Sequence, residues 1–196
     1  FNNNCVNCHG AYQKAWSQEN AEQTLSKDEL LKTTKVIYHE VTPVINVGTD
    51  PQRYISMNFF AQSLNDLAIS KWMGTVVEPQ EGYVPPPLNG IWARYPYFHN
   101  NSVPTLCEVI ELSKNRTKVF YLGPAENRET DFDQECNGYP VGNKVPEKWR
   151  NADQKMNTEK AGLRNIGHEN MLLDANGKER YSKQDKKDLV NFLKTL

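Results

Sequence analysis

The spacing of apolar residues along this chain predicts several helices joined by long irregular segments. The clearest signal is a C-terminal stripe at i, i+3, i+4 and i+7, formed by Leu189, Phe192, Leu193 and Leu196. Apolar residues at this spacing lie on one face of an α-helix. Ser182 and Asp185 stand just before the stripe and are a suitable capping pair for its first turn. We therefore expect an amphipathic helix at the end of the chain.

Two helices are predicted near the start of the chain. Residues 8–20 form the first, with three residues along one side: Ala11, Ala15 and Trp16. Ser26 and Glu29 are a capping box that begins the second. The residues expected to face inward from that helix are Leu30, Leu31 and Val36.

The middle of the chain alternates between an apolar segment and irregular stretches. Residues 55–73 are apolar enough for one or two more helices. Residues 74–103 combine several prolines with a dense set of aromatic side chains, and residues 123–165 are polar with few helix signals. Between these two stretches, residues 118–122 fit a short strand. Irregular segments of this length inside one domain are usually functional or wrap a partner.

Composition narrows the classes of partner. The chain has 196 residues and a formal net charge of -1, which suits a single domain over residues 1–196. A near-zero charge argues against nucleic acid, because such proteins usually present a strongly basic face. No run approaches the roughly 18 consecutive apolar residues of a membrane-spanning helix. We therefore predict neither nucleic-acid binding nor a membrane span.

The most informative motif lies at residues 5–9, where Cys5, Cys8 and His9 form the Cys-x-x-Cys-His signature of haem c attachment. Two thiols at this spacing reach the two vinyl groups on one edge of the porphyrin, and the histidine is delivered to the iron. A zinc knuckle needs a second short-spaced pair, which the chain lacks, and a thioredoxin-like site needs a preceding strand. We predict one covalent haem c with His9 as an iron ligand.

This motif also sets the expected fold and compartment. A helix after the motif and an amphipathic C-terminal helix are the two parts that cross in c-type cytochromes. The predicted fold class is therefore mainly α, a cytochrome c-like haem domain with long irregular loops and little β. Because haem c is attached outside the cytoplasm, we expect a periplasmic or extracellular protein in which Phe1 follows a cleavage or truncation point.

Cys107 and Cys136 remain after the motif is assigned. Thiols oxidise readily in an extracytoplasmic compartment, so we predict a disulfide between them. The disulfide would close a loop of 30 residues, and closing such a loop stabilises the fold by roughly 3–4 kcal/mol in the chain-entropy model. Two separate buried thiols are the alternative.

Residues 83–106 read YVPPPLNGIWARYPYFHNNSVPTL. This segment resembles the haem-proximal segment of the di-haem cytochrome c peroxidase superfamily, and is more similar to its rubber-oxygenase-like branch. Residues 47–51 (VGTDP), 119–123 (VFYLG) and 165–169 (NIGHE) also resemble pieces of that branch. The resemblance covers nearly the whole chain. It implies the C-terminal haem domain, or a subunit, of a larger redox protein.

The chain departs from that family pattern in three ways. Pro86 stands where the family usually has Arg, and Asn101 stands where it has Gly. The N-terminal domain with its own Cys-x-x-Cys-His motif is not in this sequence. In the relatives, peroxide or oxygen reacts at the haem of that domain, so their activity does not transfer automatically.

The second axial ligand of the iron sets its potential and reactivity. The candidate residues are His39, His99, His168, Met57, Met73, Met156 and Met171. In c-type cytochromes the distal ligand usually comes from the loop before the terminal helix, which favours His168 and then Met171. The resemblance of residues 165–169 also supports His168. We therefore predict bis-histidine ligation by His9 and His168.

Two further residues are predicted to contact the cofactor. The resemblance implies that His99 organises the haem pocket through hydrogen bonds and is not an iron ligand. Trp92 suits an electron path between paired haems, or equally a core aromatic residue that covers the porphyrin.

Three functions remain open at this point. The favoured one is an electron-transfer c-type cytochrome domain with a redox partner protein or a second haem domain. The alternative is the haem domain of a di-haem peroxidase- or oxygenase-type oxidoreductase whose catalytic haem lies in another domain or subunit. The third is an assembly subunit of a larger redox complex, with its long loops wrapped around a partner.

Overall fold

The computed structural model describes residues 1–150 and 154–196, which form eight α-helices and four strands. The helices are α1 Val6–His9, α2 Ala21–Thr24, α3 Lys27–Leu30, α4 Gln52–Asn65, α5 Ala68–Met73, α6 Leu106–Val109, α7 Glu147–Arg150 and α8 Lys183–Leu193. The strands are β1 Ala11–Lys14, β2 Thr33–Ile37, β3 Val119–Tyr121 and β4 Lys155–Asn157. β1 pairs antiparallel with β2, and β3 pairs antiparallel with β4.

The predicted mainly α fold class is wrong. Helix accounts for 33% of the structure and strand for 12%, and five of the helices are single turns of four residues. The reason is local chemistry, because the prolines of residues 74–103 lack the N–H that a helix ladder needs. In the described residues, no helix combines the length and the apolar character that crossing a bilayer requires.

The helix predicted over residues 8–20 is also wrong. α1 ends at His9 because Gly10 adopts φ 78°, and a Cβ there would meet the Ile37 carbonyl oxygen at 2.6 Å. The chain then continues as β1, in which Tyr12 and Lys14 are buried on one side. Pairing with β2 therefore overrides the weak helical spacing.

The second predicted helix forms, but it is shorter than expected. The capping box of Ser26 and Glu29 is confirmed, and α3 ends at Leu30 after one turn. Leu31 is 63% exposed, so its predicted inward orientation is wrong. Val36 does pack against the core, but it does so from β2.

The apolar core lies between α8 and the segments around α6. The predicted C-terminal helix is confirmed, with Ser182 and Asp185 forming its capping box. Ten buried residues make up the core: Tyr12, Leu88, Tyr97, Val103, Leu106, Ile110, Leu172, Val190, Leu193 and Leu196. The start of the chain also packs on α8, where the ring centroids of Phe1 and Phe192 are 5.0 Å apart.

Three other predictions concern the remaining elements. Residues 55–73 fall on α4 and α5, as expected, but both helices leave large apolar side chains in solvent. Phe59 is 76% exposed and Trp72 is 83% exposed. The strand predicted at residues 118–122 is confirmed by β3. The structure also joins Cys107 of α6 to Cys136 in a disulfide, as predicted.

Candidate haem-binding site

His9 is the last residue of α1, and it is oriented by the proline-rich segment across the cavity. Its Nδ1 lies 2.9 Å from the carbonyl oxygen of Pro86. Because a carbonyl only accepts hydrogen bonds, this contact places the proton on Nδ1 and leaves Nε2 as the metal-binding nitrogen. Because the backbone supplies it, this contact does not depend on which side chain stands at residue 86.

His168 lies in a loop whose backbone is held in an uncommon conformation. Gly167 and His168 adopt φ values of 80° and 60°, in the left-handed region. A Cβ on Gly167 would meet the backbone carbon of Gly48 at 2.3 Å, so only glycine fits there. The His168 N–H donates to the Val47 carbonyl at 2.7 Å. This close approach fixes the position of the His168 backbone.

Asp50 attaches this loop to the start of α4. Its buried carboxylate accepts hydrogen bonds from the N–H groups of Gln52 at 2.9 Å, Gly162 at 2.9 Å and Arg164 at 3.0 Å. The segments at residues 47–51 and 165–169, which are distant in sequence, therefore lie in direct contact.

The imidazole rings of His9 and His168 face each other across the cavity. Their ring centroids are 6.3 Å apart, and the rings are inclined at 62°. The Nδ1 of His168 lies 3.4 Å from the Val109 carbonyl oxygen, so both rings keep Nε2 free for a metal. This separation accommodates one metal ion bonded to a nitrogen of each ring at about 2.0 Å.

Burial keeps both imidazoles in the neutral form that binds metals. Burial, with a smaller contribution from the neighbouring His9, lowers the pKa of His168 to about 4. Burial also lowers the pKa of His9, and its hydrogen bond to Pro86 acts in the opposite direction. Neutral rings offer a lone pair on Nε2 without first losing a proton.

The cavity between the two rings has a volume of about 470 Å³, within the range of protein ligand pockets. Most of its lining is apolar, and α6 and α8 contribute core residues to it. Cys5 lies at the same cavity, and burial raises the pKa of its thiol. Arg94 contributes the single Lys, Arg, Asp or Glu side chain of the lining within the described residues. The cavity is therefore suited to a large apolar ligand that carries an anionic group.

Not every residue predicted for the site reaches the cavity. Cys5, His9, His99 and His168 line it. Cys8, on the α1 turn with His9, is partly buried but is not part of the lining. Trp92 is 51% exposed and does not line the cavity either, so the structure does not bring its side chain to the site.

The alternative axial ligands are also separated by their positions. Met171 lines the cavity beside His168, whereas the lining does not include His39, Met57, Met73 or Met156. His99 stacks on Tyr83, with ring centroids 4.3 Å apart, at an exposed edge of the cavity. Its predicted role in organising the pocket stays a prediction.

Several groups at the site were missed by sequence reasoning. The carbonyls of Pro86 and Val109 orient the two histidines, and no side-chain signal identifies a backbone acceptor. Asn101 has φ 57°, a left-handed conformation that asparagine tolerates, which explains why it can stand at a position where the family has glycine. Arg94 was also missed, although the sequence does show a single arginine among the aromatic residues of this segment.

Comparison with known families identifies the kind of domain that carries this cavity. Residues 82–121 match the model of a family described as RoxA-like, cytochrome c-like. The match indicates a cytochrome c-like haem domain of the RoxA type. It implies a haem cofactor and confirms the prediction of a cytochrome c-like haem domain. The resemblance to the di-haem peroxidase superfamily stays a prediction. The matched segment contains Pro86, Arg94 and α6, whose last residue is Val109.

A relative aligns with almost the whole chain. The chain is 29% identical over 225 residues to an uncharacterized protein, y4iJ, of Sinorhizobium fredii. The alignment covers 94% of this chain and 34% of that protein. The chain therefore spans about a third of the length of the curated relative that it matches.

Proposed function

We propose that this chain is an electron-transfer c-type cytochrome domain with one covalent, bis-histidine haem. The observation that carries the proposal is the pair of neutral imidazoles, 6.3 Å apart across an apolar cavity. Each ring has its Nδ1 on a backbone carbonyl, which is the arrangement expected when both Nε2 atoms bind one metal ion.

Different residues would bind different parts of the haem. Cys5 and Cys8 would bind it covalently through two thioethers, and His9 and His168 would be its axial ligands. Arg94 would bind the propionate carboxylates, since charge-assisted hydrogen bonds to a guanidinium are strong. The haem supplies one-electron redox chemistry, while the cavity wall excludes water and fixes both imidazoles.

Two imidazole ligands also define the expected redox behaviour. Imidazole is a stronger donor than a thioether and favours ferric iron, so we expect a low potential relative to His/Met cytochromes. Six-coordinate iron has no free position for peroxide or oxygen. This domain would therefore relay electrons to or from a redox partner protein or a second haem domain.

The proposal includes a compartment. Covalent haem attachment and the Cys107–Cys136 disulfide both suit an oxidising environment, so we infer a periplasmic or extracellular location. A domain that aligns with a third of its relative would act as one part of a larger redox protein.

Carbon monoxide binding to the reduced protein tests the axial ligands. Wild type should be low-spin and should not bind carbon monoxide, whereas His168→Ala should gain high-spin character and bind it. His39→Ala is the matched control, because His39 does not line the cavity, and it should keep the wild-type spectrum. A thioether–iron charge-transfer band that disappears in Met171→Leu would instead identify Met171 as the ligand.

A second function is supported by the length of the relative. Because this chain aligns with 34% of y4iJ, it can also be the haem domain of a di-haem peroxidase- or oxygenase-type enzyme. The catalytic haem would then lie in another domain or subunit. If wild type is high-spin and binds carbon monoxide readily, the electron-transfer proposal is wrong and this domain itself offers a reactive iron.

A further inference from the structure

Arg116 is a buried cation next to the loop that carries His168. The whole residue is 2% exposed, and its guanidinium is enclosed between that loop and the end of α6. Its Nε donates to the carbonyls of Glu108 and Glu111, at 3.0 Å each, and its Nη1 donates to the carbonyl of Asn165. Its Nη2 is buried with no hydrogen-bond partner among the described residues. One side chain thus joins two segments that are distant in sequence.

Both segments meet at His168. Glu108 immediately precedes Val109, whose carbonyl faces the Nδ1 of His168. Asn165 is three residues before His168 in the loop. The guanidinium also lies 4.9 Å from the ring centroid of Phe98, and the Phe98 ring is 5.6 Å from the His168 ring. Arg116 therefore constrains the backbone, the hydrogen-bond acceptor and one ring neighbour of His168.

We propose that Arg116 is the positioning residue for His168 and that its buried positive charge raises the reduction potential of the iron. This inference rests on the proposed function, because it requires His168 to be an iron ligand. A fixed positive charge in a region of low dielectric favours the ferrous state, which carries one positive charge less.

The charges around Arg116 make the sign of this effect clear. Burial lowers the pKa of Arg116 and the carboxylates of Glu169, Glu108 and Glu111 oppose this, which leaves the pKa at about 10 and the side chain charged at neutral pH. The charge of Glu111 is also compensated by Lys186, whose Nζ lies 2.8 Å from the Glu111 carboxylate. Removing the charge of Arg116 leaves Glu169 and Glu108 less compensated, and the surroundings of the iron become more negative.

Two variants separate charge from geometry. Arg116→Gln removes the charge but keeps an amide donor for the carbonyls, so its midpoint potential should fall below that of wild type. Arg116→Lys keeps the charge but loses the planar fork that reaches three carbonyls. Its potential should stay near that of wild type, while the ferrous protein should bind carbon monoxide more readily. Added imidazole should restore the low-spin spectrum of Arg116→Lys.

Arg164→Gln is the matched control, since Arg164 is exposed in the same loop and its charge is screened by solvent. The proposal is overturned if Arg116→Gln lowers the potential no more than Arg164→Gln does, or if Arg116→Lys excludes carbon monoxide as wild type does. If Arg116→Gln does not fold, the carbon monoxide result for Arg116→Lys decides alone. Carbon monoxide binding by wild type, or no response to His168→Ala, would instead contradict the proposed function.

Discussion

The cavity wall and the α4–α5 helix pair are organised in opposite ways. Apart from α8, the wall is built from single turns, left-handed residues and proline-rich backbone, yet its imidazoles are fixed by hydrogen bonds to backbone carbonyls. α4 is the longest helix in the described residues, yet Phe59 on it and Trp72 on α5 are largely in solvent. Helix length therefore does not determine burial in this molecule, because α8 packs on the core whereas the longer α4 leaves large apolar side chains in solvent.

This difference shows where sequence changes should matter. In the wall, single atoms of the backbone determine the geometry of the site, so small substitutions should have large effects. In the helix pair, side chains already contact water, and their replacement changes little buried surface. Four predictions test this contrast, in order of decreasing effect.

The largest effect should come from the thiols of Cys5 and Cys8. In Cys5→Ala/Cys8→Ala, no thioether can form, so haem should be lost when the denatured protein is separated by gel electrophoresis. Wild type should retain its haem in the same gel, and Asn7→Ala, which keeps both thiols, should match wild type. Haem retention by the double variant would contradict covalent attachment through these cysteines.

The disulfide behind the wall should contribute the next largest effect. Cys107 belongs to α6, whose Leu106 and Val109 line the cavity. Cys107→Ser/Cys136→Ser should lower the free energy of unfolding by about 2–5 kcal/mol in urea denaturation. Reduction of wild type should give a similar loss. Quantitative alkylation of both thiols in unfolded, unreduced wild type would show that the bond is absent.

Gly167→Ala should destabilise the wall by about 1–3 kcal/mol, because the new Cβ overlaps Gly48 and the left-handed backbone is strained. The same variant should loosen His168 and increase carbon monoxide binding. Gly177→Ala is the matched control, with φ 74° and no atom within 4 Å of its added Cβ. Equal unfolding free energies for the two variants would mean that the contact with Gly48 has no role.

The helix pair should show the smallest effect. Phe59→Ser should change the free energy of unfolding by only about 0.5 kcal/mol, as expected for an exposed position. Phe120→Ala is the buried comparison, since Phe120 is 1% exposed, and it should cost about 3–5 kcal/mol. A cost of several kcal/mol for Phe59→Ser would show that this surface is packed in the protein in solution.

Features that depend on neighbouring residues were more predictable than pairings between distant segments. The capping boxes and the C-terminal stripe are local signals, and they correctly predicted the start of α3 and the position of α8. The disulfide was correctly predicted for another reason, because Cys107 and Cys136 remained after the Cys-x-x-Cys-His motif was assigned. The pairing of β1 with β2 depends on residues distant in sequence, so local spacing around Ala11 and Trp16 gave the wrong element.

Other features carry no signal in a single sequence. The carbonyls of Pro86 and Val109 belong to the backbone, and their use depends only on the folded geometry. Arg116 has the character of a surface residue, and only the structure shows it buried. The helix content was overestimated because the proline-rich and single-turn segments are held in place by tertiary contacts, which local spacing does not reveal.

The contacts between the first and the last residues have a consequence for the order of folding. Asn4 donates to the Tyr181 hydroxyl, Lys14 donates to the Thr195 carbonyl, and Phe1 packs against Phe192. Such contacts close loops nearly as long as the chain, so they are slow to form and depend on the final helix. The thiols of Cys5 and Cys8 should therefore remain accessible to modification until α8 has formed and packed against the start of the chain.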